Sequence, residues 1–110
     1  MANTKPKNKG GRPRKYSEQE VLQTKIDEYF VMCDEKEKPY TITGLCLYLD
    51  IDRSTLLRYE EKEEYCNTIK RAKNRIENYV EENSLKGLLN PTVSIFNLKN
   101  NFGWKDKQEI

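Results

Sequence analysis

The stretch Leu45–Tyr65, LCLYLDIDRSTLLRYEEKEEY, decides how this chain folds. An apolar helical run stops at Leu49-Asp50-Ile51-Asp52 and restarts at once with Arg53-Ser54-Thr55. Asp50 tolerates a left-handed backbone better than most residues that carry a Cβ, and Asp52 is a strong helix cap. The segment therefore predicts a short helix from Thr41 to about Leu49, a tight turn, and a further helix over roughly Arg53–Glu60. Leu45, Leu49, Ile51, Leu56 and Tyr59 form the shared core of that pair, and Arg53, Ser54 and Arg58 point away from it. A helix buried for packing alone gains nothing from such a break, whereas one that presents its leading end to a partner does.

Upstream, "SEQE" sets Glu20 three residues after Ser17, a capping-box spacing that predicts a first helix starting at Ser17. Leu22, Ile26, Tyr29, Phe30 and Cys33 mark one face of it, and it ends before Pro39. Downstream, Tyr65, Ile69, Ala72, Ile76, Tyr79 and Val80 recur at helical spacing and predict a long helix from about Lys62 to Lys86, closed by Gly87. Asn90-Pro91 reads as cap and first residue of a fifth helix that stops near Gly103. No strand-like alternation persists, so the fold class is all-α. Residues 1–16 are read as a disordered basic arm, 17–61 as a helix-turn-helix DNA-binding domain, 62–103 as a long and a short helix for oligomerisation, and 104–110 as a C-terminal tail.

Composition narrows the function. With 110 residues, 35% hydrophobic and 35% charged, the chain supports one small helical core. The net charge of +2 hides an asymmetry: of the 20 Lys and Arg, six lie in residues 1–16 with no acid among them, leaving 14 bases against 18 acids elsewhere. Such an arm suits an anionic partner. Cys33, Cys46 and Cys66 are an odd, widely spaced set, read as small core residues in a reducing compartment. The sequence has no histidine, which removes His-based acid–base chemistry and most zinc sites, and it has no GxxxxGK[ST] loop. These features predict no catalysis, metal, cofactor or small-molecule substrate. With no signal-peptide pattern and no run of membrane-spanning length, a cytoplasmic location is expected.

The break itself has the form of a helix-turn-helix, whose second helix enters the DNA major groove by its N-terminal end. Backbone N–H groups and the positive dipole end favour phosphate there; arginine reads guanine, and Ser or Thr meets a base edge or a phosphate. An ordinary helical corner with solvated charges gives the same pattern, and Glu60, Glu61, Glu63 and Glu64 place acid near the helix end. The arm adds an independent signal. "GGRPRK", Gly10–Lys15, resembles an AT-hook core, in which Pro13 holds the chain extended so that Arg12 and Arg14, flanked by Lys15, enter a narrow A·T-rich minor groove. A solvated tail that meets phosphates without selectivity is the alternative, and either raises affinity through counterion release.

A helix of about 25 residues is roughly 37 Å long, against a radius of gyration of about 13 Å for a compact chain of this size. The long helix is thus expected to extend beyond the bundle, with its stripe of Ile69, Ile76, Tyr79 and Val80 covered by other subunits; the alternative cover is the first helix, lying antiparallel in the same chain. Ile95, Phe96, Leu98, Phe102 and Trp104 nearly surround the last helix, so one buried face cannot satisfy them all.

On "GRPRKYS" leading to "IDEYF", on "TITGLCLYLDIDRSTLLRYE", on "YCNTIKRAKNRIENYVEENS" and on "SIFNLKNNFGWKDKQE", the chain resembles the small terminase subunits of tailed bacteriophages. The resemblance implies a ring-forming oligomer that recognises the packaging site on double-stranded viral DNA in the host cytoplasm and delivers it to the terminase large subunit, which holds the ATPase and nuclease. It gives Arg53, Ser54, Thr55 and Arg58 the recognition role and Ile69, Ile76, Tyr79 and Val80 the assembly role. Phe102 and Trp104 become candidate contacts for the large subunit. A small transcriptional regulator or transposase-associated DNA-binding protein shares the helix pair and the arm, and is the other function these features fit.

Overall fold

The computed structural model describes residues 15–106. Five helices follow one another: α1 (Gln19–Lys36), α2 (Ile42–Leu49), α3 (Arg53–Glu60), α4 (Glu63–Leu85) and α5 (Pro91–Phe102), with no strand among the described residues. The arm residues Arg12 and Arg14, and the tail beyond Asp106, lie outside the described residues.

The helix boundaries follow from local chemistry. Thr41 caps α2 by accepting the Gly44 N–H, Asp52 caps α3 by accepting the Thr55 N–H, and Asn90 caps α5 by accepting the Val93 N–H ahead of Pro91. Each satisfies a backbone donor that the first helical turn leaves orphaned. Asp50 holds the left-handed conformation, φ 60°, that ends α2. Glu37 does the same after α1, where the Lys38 N–H donates to the Cys33 carbonyl at 2.8 Å.

The start of α1 differs from the sequence expectation. Its cap is Glu18, not Ser17, and no side chain bonds back to its first turn. The reason lies one residue earlier, in Tyr16, which the sequence assigned to the disordered arm. Tyr16 is buried in the core cluster and its peptide groups are fixed by distant tyrosines, so the chain enters α1 from an extended, tethered segment.

Leu22, Ile26, Tyr29, Phe30 and Cys33 of α1 and Ile42, Leu45, Cys46 and Leu49 of α2 supply half of the core. The rest comes from Tyr16 ahead of α1, Leu56 and Tyr59 of α3, and Tyr65, Ile69, Ala72 and Ile76 of α4. The long helix α4 is the common backing, packing on α1, α3 and α5. Ile69, Ile76 and Val80 are therefore enclosed within the single chain, and Tyr79 stacks on Tyr40 with ring centroids 4.8 Å apart. Cover from within the chain, the alternative the sequence left open, describes this stripe: α1, α3 and α5 all pack on α4. The chain is still elongated, with a radius of gyration of 16.7 Å and a thinnest dimension of 19 Å.

The last helix is less well covered. Ser94 and Leu98 are its buried residues, while Val93, Ile95 and Phe96 face outward together with Leu85 and Leu88 of the α4–α5 elbow. Leu85 is 81% and Phe96 63% exposed. Among the described residues, no helix is long and apolar enough to cross a membrane.

One close approach locks α1 to α2. The Tyr29 hydroxyl accepts the Thr41 N–H at 2.9 Å and donates to the Thr41 carbonyl at 3.1 Å. Burial pushes its phenol up to about 12. A Cβ on Gly44 would lie 2.6 Å from both the Tyr29 hydroxyl and the Thr41 Oγ1. Gly44→Ala is therefore expected to destabilise the fold despite its better helix propensity. Overpacking costs about 1–3 kcal/mol against a propensity gain of about 1 kcal/mol. A thermal melt checks this: Tm falls by several degrees, and a rise would mean that the Tyr29–Thr41 clamp yields freely.

Candidate nucleic-acid interface

The junction between α2 and α3 spans only three residues, so both helix ends must be satisfied locally. The Ile51 N–H donates to the Cys46 carbonyl at 3.0 Å and the Asp50 N–H to the Leu47 carbonyl at 3.1 Å. The last carbonyl of α2, on Leu49, accepts the Tyr16 hydroxyl at 2.8 Å. Across the turn, the Asp52 carboxylate accepts both the Thr55 N–H and the Ser54 hydroxyl at 2.9 Å.

This rigid corner exposes one face of α3. Arg53, Ser54, Leu57 and Arg58 are exposed and Thr55 is half-buried, while Leu56 and Tyr59 face the core. Arg58 rests its guanidinium on the Thr55 Oγ1 at 3.1 Å, using one of its five donors. The Ser54 hydroxyl is committed as donor to Asp52, so its free capacity is as an acceptor, suited to a base amino group more than to a phosphate oxygen. Leu57, which the sequence reading passed over, is an exposed aliphatic side chain of the kind that meets a thymine methyl.

An open groove of about 610 Å³ runs beside this face, and Lys15, Asp50, Thr55, Arg58 and Lys62 line it. The arm thus leaves the fold at the same groove that α3 borders. Lys15 pairs with Asp50 at 3.2 Å, an exposed contact that a phosphate can replace at little cost. Cys46 also lines the groove, but burial pushes its thiol up, so it is not an activated nucleophile. No group of His, Cys, Asp and Glu suited to a metal ion occurs among the described residues.

The acids that counted against an anionic partner are partly accounted for. Glu60 is paired with Lys73 of α4 at 3.0 Å, both largely shielded, and so contributes little net charge to the α3 face. Lys62 sits on the groove wall, between Glu61 and Glu63.

The residues assigned to partner contacts sit elsewhere. Phe102 packs against the core and is half-buried. Trp104 is 38% exposed, and its indole N–H donates to Glu77 of α4 at 2.6 Å, tying the chain end back to the long helix.

The described residues thus form an all-helical body with a tightly joined helix pair, Arg53 and Arg58 on the outward face of α3, and Lys15 beside it on the groove. The chain belongs to the DNA-packaging protein gp3 family, whose model matches residues 11–110. The match begins at Gly11, so the GRPRK segment lies inside it. No curated protein and no solved structure matches the chain.

Hydrogen bonds from the Thr55 N–H and then the Ser54 hydroxyl hold the Asp52 carboxyl below its ordinary value. A depressed carboxyl contributes stability that is present above the ordinary value, about 4, and lost as the pH falls through the lower folded value. Asp52→Ala is therefore expected to lower Tm at pH 7, with the gap to the wild type closing below about pH 4. A gap that stays constant across acid melts would show that the cap bonds do not depend on charge.

Proposed function

We propose that this DNA-packaging protein is the DNA-recognition and adaptor subunit of a viral packaging motor. It binds the packaging site on double-stranded viral DNA and delivers that DNA to the terminase large subunit in the host cytoplasm, with no catalysis of its own. The observation that carries this function is the exposed Arg53–Ser54–Leu57–Arg58 face of α3, bordered by the groove at which the basic arm joins the fold. Read as a helix-turn-helix, α2 braces α3 while the leading end of α3 enters the major groove. Arg53 and Arg58 then read guanine, Ser54 accepts from a base amino group, and Thr55 orients Arg58. Arg12, Arg14 and Lys15 add contacts to the backbone and the minor groove. The absence of histidine from the whole sequence supports an adaptor over an enzyme.

Self-association belongs to the same function, because a ring is how a small subunit presents many helix pairs to one DNA. The assembly surface proposed here is the α4–α5 elbow, not the enclosed stripe of α4. Leu85, Leu88, Val93, Ile95 and Phe96 are exposed apolar side chains there that a second copy of the chain would cover. Trp104, tied to α4 through Glu77, is the proposed contact for the large subunit.

Replacing both Arg53 and Arg58 by Ala is expected to weaken sequence-specific binding by about 1–3 kcal/mol for each base that is no longer read, with helix content unchanged. Footprinting on viral DNA tests it, and an unaltered footprint in the double variant would remove α3 as the reading helix. The full chain is expected above monomer mass by light scattering, and Leu85→Glu with Phe96→Glu is expected to bring it to monomer. An unchanged mass in that variant excludes the elbow as the interface.

A further inference from the structure

A second open groove, of about 430 Å³, lies between α1 and α2, and DNA reading leaves it unused. Val31, Met32 and Tyr48 give it an apolar lining, while Asp27, Glu28 and Glu35 add carboxylates and no lysine or arginine lines it. Val31 is more than half exposed, and Tyr48 stays open although its hydroxyl donates to Glu28 at 3.3 Å. Met32 packs partly on the core and brings a flexible, polarisable thioether to the groove, which suits an incoming aromatic ring. Glu28 pairs with Lys25 and Asp27 accepts from Gln23, whereas no side-chain hydrogen bond or ion pair engages Glu35 among the described residues. The α4–α5 elbow and the helix after it have the complementary character. Residues 83–105 hold no acid and carry Lys86, Lys99 and Lys105, all exposed, of which Lys99 is paired with Asp106. Phe96 is the one aromatic that α5 leaves exposed.

We infer that the groove between α1 and α2 receives the α4–α5 elbow of a second copy of this chain, with Phe96 against Met32 and Tyr48 and the lysines toward Glu28 and Glu35. This rests on the elbow being the self-association surface, and adds what that surface meets. Charge chooses among the possible pairings. Elbow on elbow brings lysines against lysines, and groove on groove brings three carboxylates against three. Elbow in groove sets opposite charges together and covers apolar side chains on both partners. An aromatic anchor seated in a pocket within a polar rim is also how the residues that dominate a binding interface are placed. None of the groove's lining comes from α5, so a chain does not fill its own groove. The two surfaces share no residue, so the contact is head to tail: each copy offers an elbow to one neighbour and a groove to another. Such a contact repeats until it closes into a ring or runs on as a filament, whereas elbow on elbow stops at a dimer.

The test uses two variants of the full chain, weighed by light scattering alone and as a mixture. Leu85→Glu with Phe96→Glu disables the elbow and keeps the groove, whereas Val31→Arg with Glu35→Arg disables the groove and keeps the elbow. All four side chains are exposed, and circular dichroism checks that helix content is unchanged. Each variant alone is expected at monomer mass. An equimolar mixture is expected at twice the monomer mass and no higher, because one working elbow then meets one working groove. A groove variant that dimerises by itself or keeps the wild-type mass overturns the inference, as does a mixture that stays monomeric. Should the groove variant lose helix content, Glu35→Arg alone takes its place. It is expected to shift the chain toward monomer at a concentration where the wild type is assembled, and an unchanged mass overturns the inference. Failure of the underlying function looks different: the wild type is then itself monomeric, or the elbow variant keeps the wild-type mass.

Discussion

Ending one helix and starting the next within three residues is the demand that shapes this molecule. A helix end leaves four carbonyls unpaired and a helix start leaves four N–H groups. Between Leu49 and Arg53 only three residues are available to satisfy them. The chain meets the demand with a left-handed Asp50, an Asp52 carboxylate on the Thr55 N–H, and the hydroxyl of Tyr16 on the Leu49 carbonyl. Because those bonds leave little freedom, the outward face of α3 is held in one orientation. A floppy corner with the same residues would lose much of its recognition energy to ordering them on binding.

Charge is organised at the scale of contacts, not of the whole chain. The described body is acid-rich, yet its α3 face is not, because Glu60 is paired with Lys73 behind it and Asp50 with Lys15 at its edge. The second of these pairs is exposed on both sides and weak. On the proposed function, an incoming polyanion would have only this minor contact to displace. The Arg75 guanidinium shows the opposite arrangement: it lies 4.3 Å from the Phe30 ring centroid and 5.6 Å from that of Tyr40, closing the core between α1 and α4.

The long helix illustrates how an apolar stripe can be read from sequence without revealing what covers it. Its buried positions Tyr65, Ile69, Ala72, Ile76 and Val80 follow from period 3.6 alone. Period says which face must be covered but nothing about what covers it, and helix length suggested a second subunit. In the folded chain, α1, α3 and α5 pack on it. The apolar surface left over moved to the elbow and the outer side of α5, where Leu98 and Ser94 used up the inward face and left Val93, Ile95 and Phe96 outside.

Residue order alone was enough for the all-α class, the caps at Thr41, Asp52 and Asn90, the left-handed Asp50, and the outward set Arg53, Ser54 and Arg58. All of these depend on interactions between residues within about one helical turn, so local spacing carries them. Packing of the helices had to settle the rest: Tyr16 belongs to the core, Lys73 neutralises Glu60, and Leu57 joins the exposed face while Phe102 turns inward. An aromatic just ahead of a helix cap was the one local hint of Tyr16's docking. Its hydrogen-bonding partners stand 33 to 49 residues away, and pairings at that separation exist only once the helices have packed.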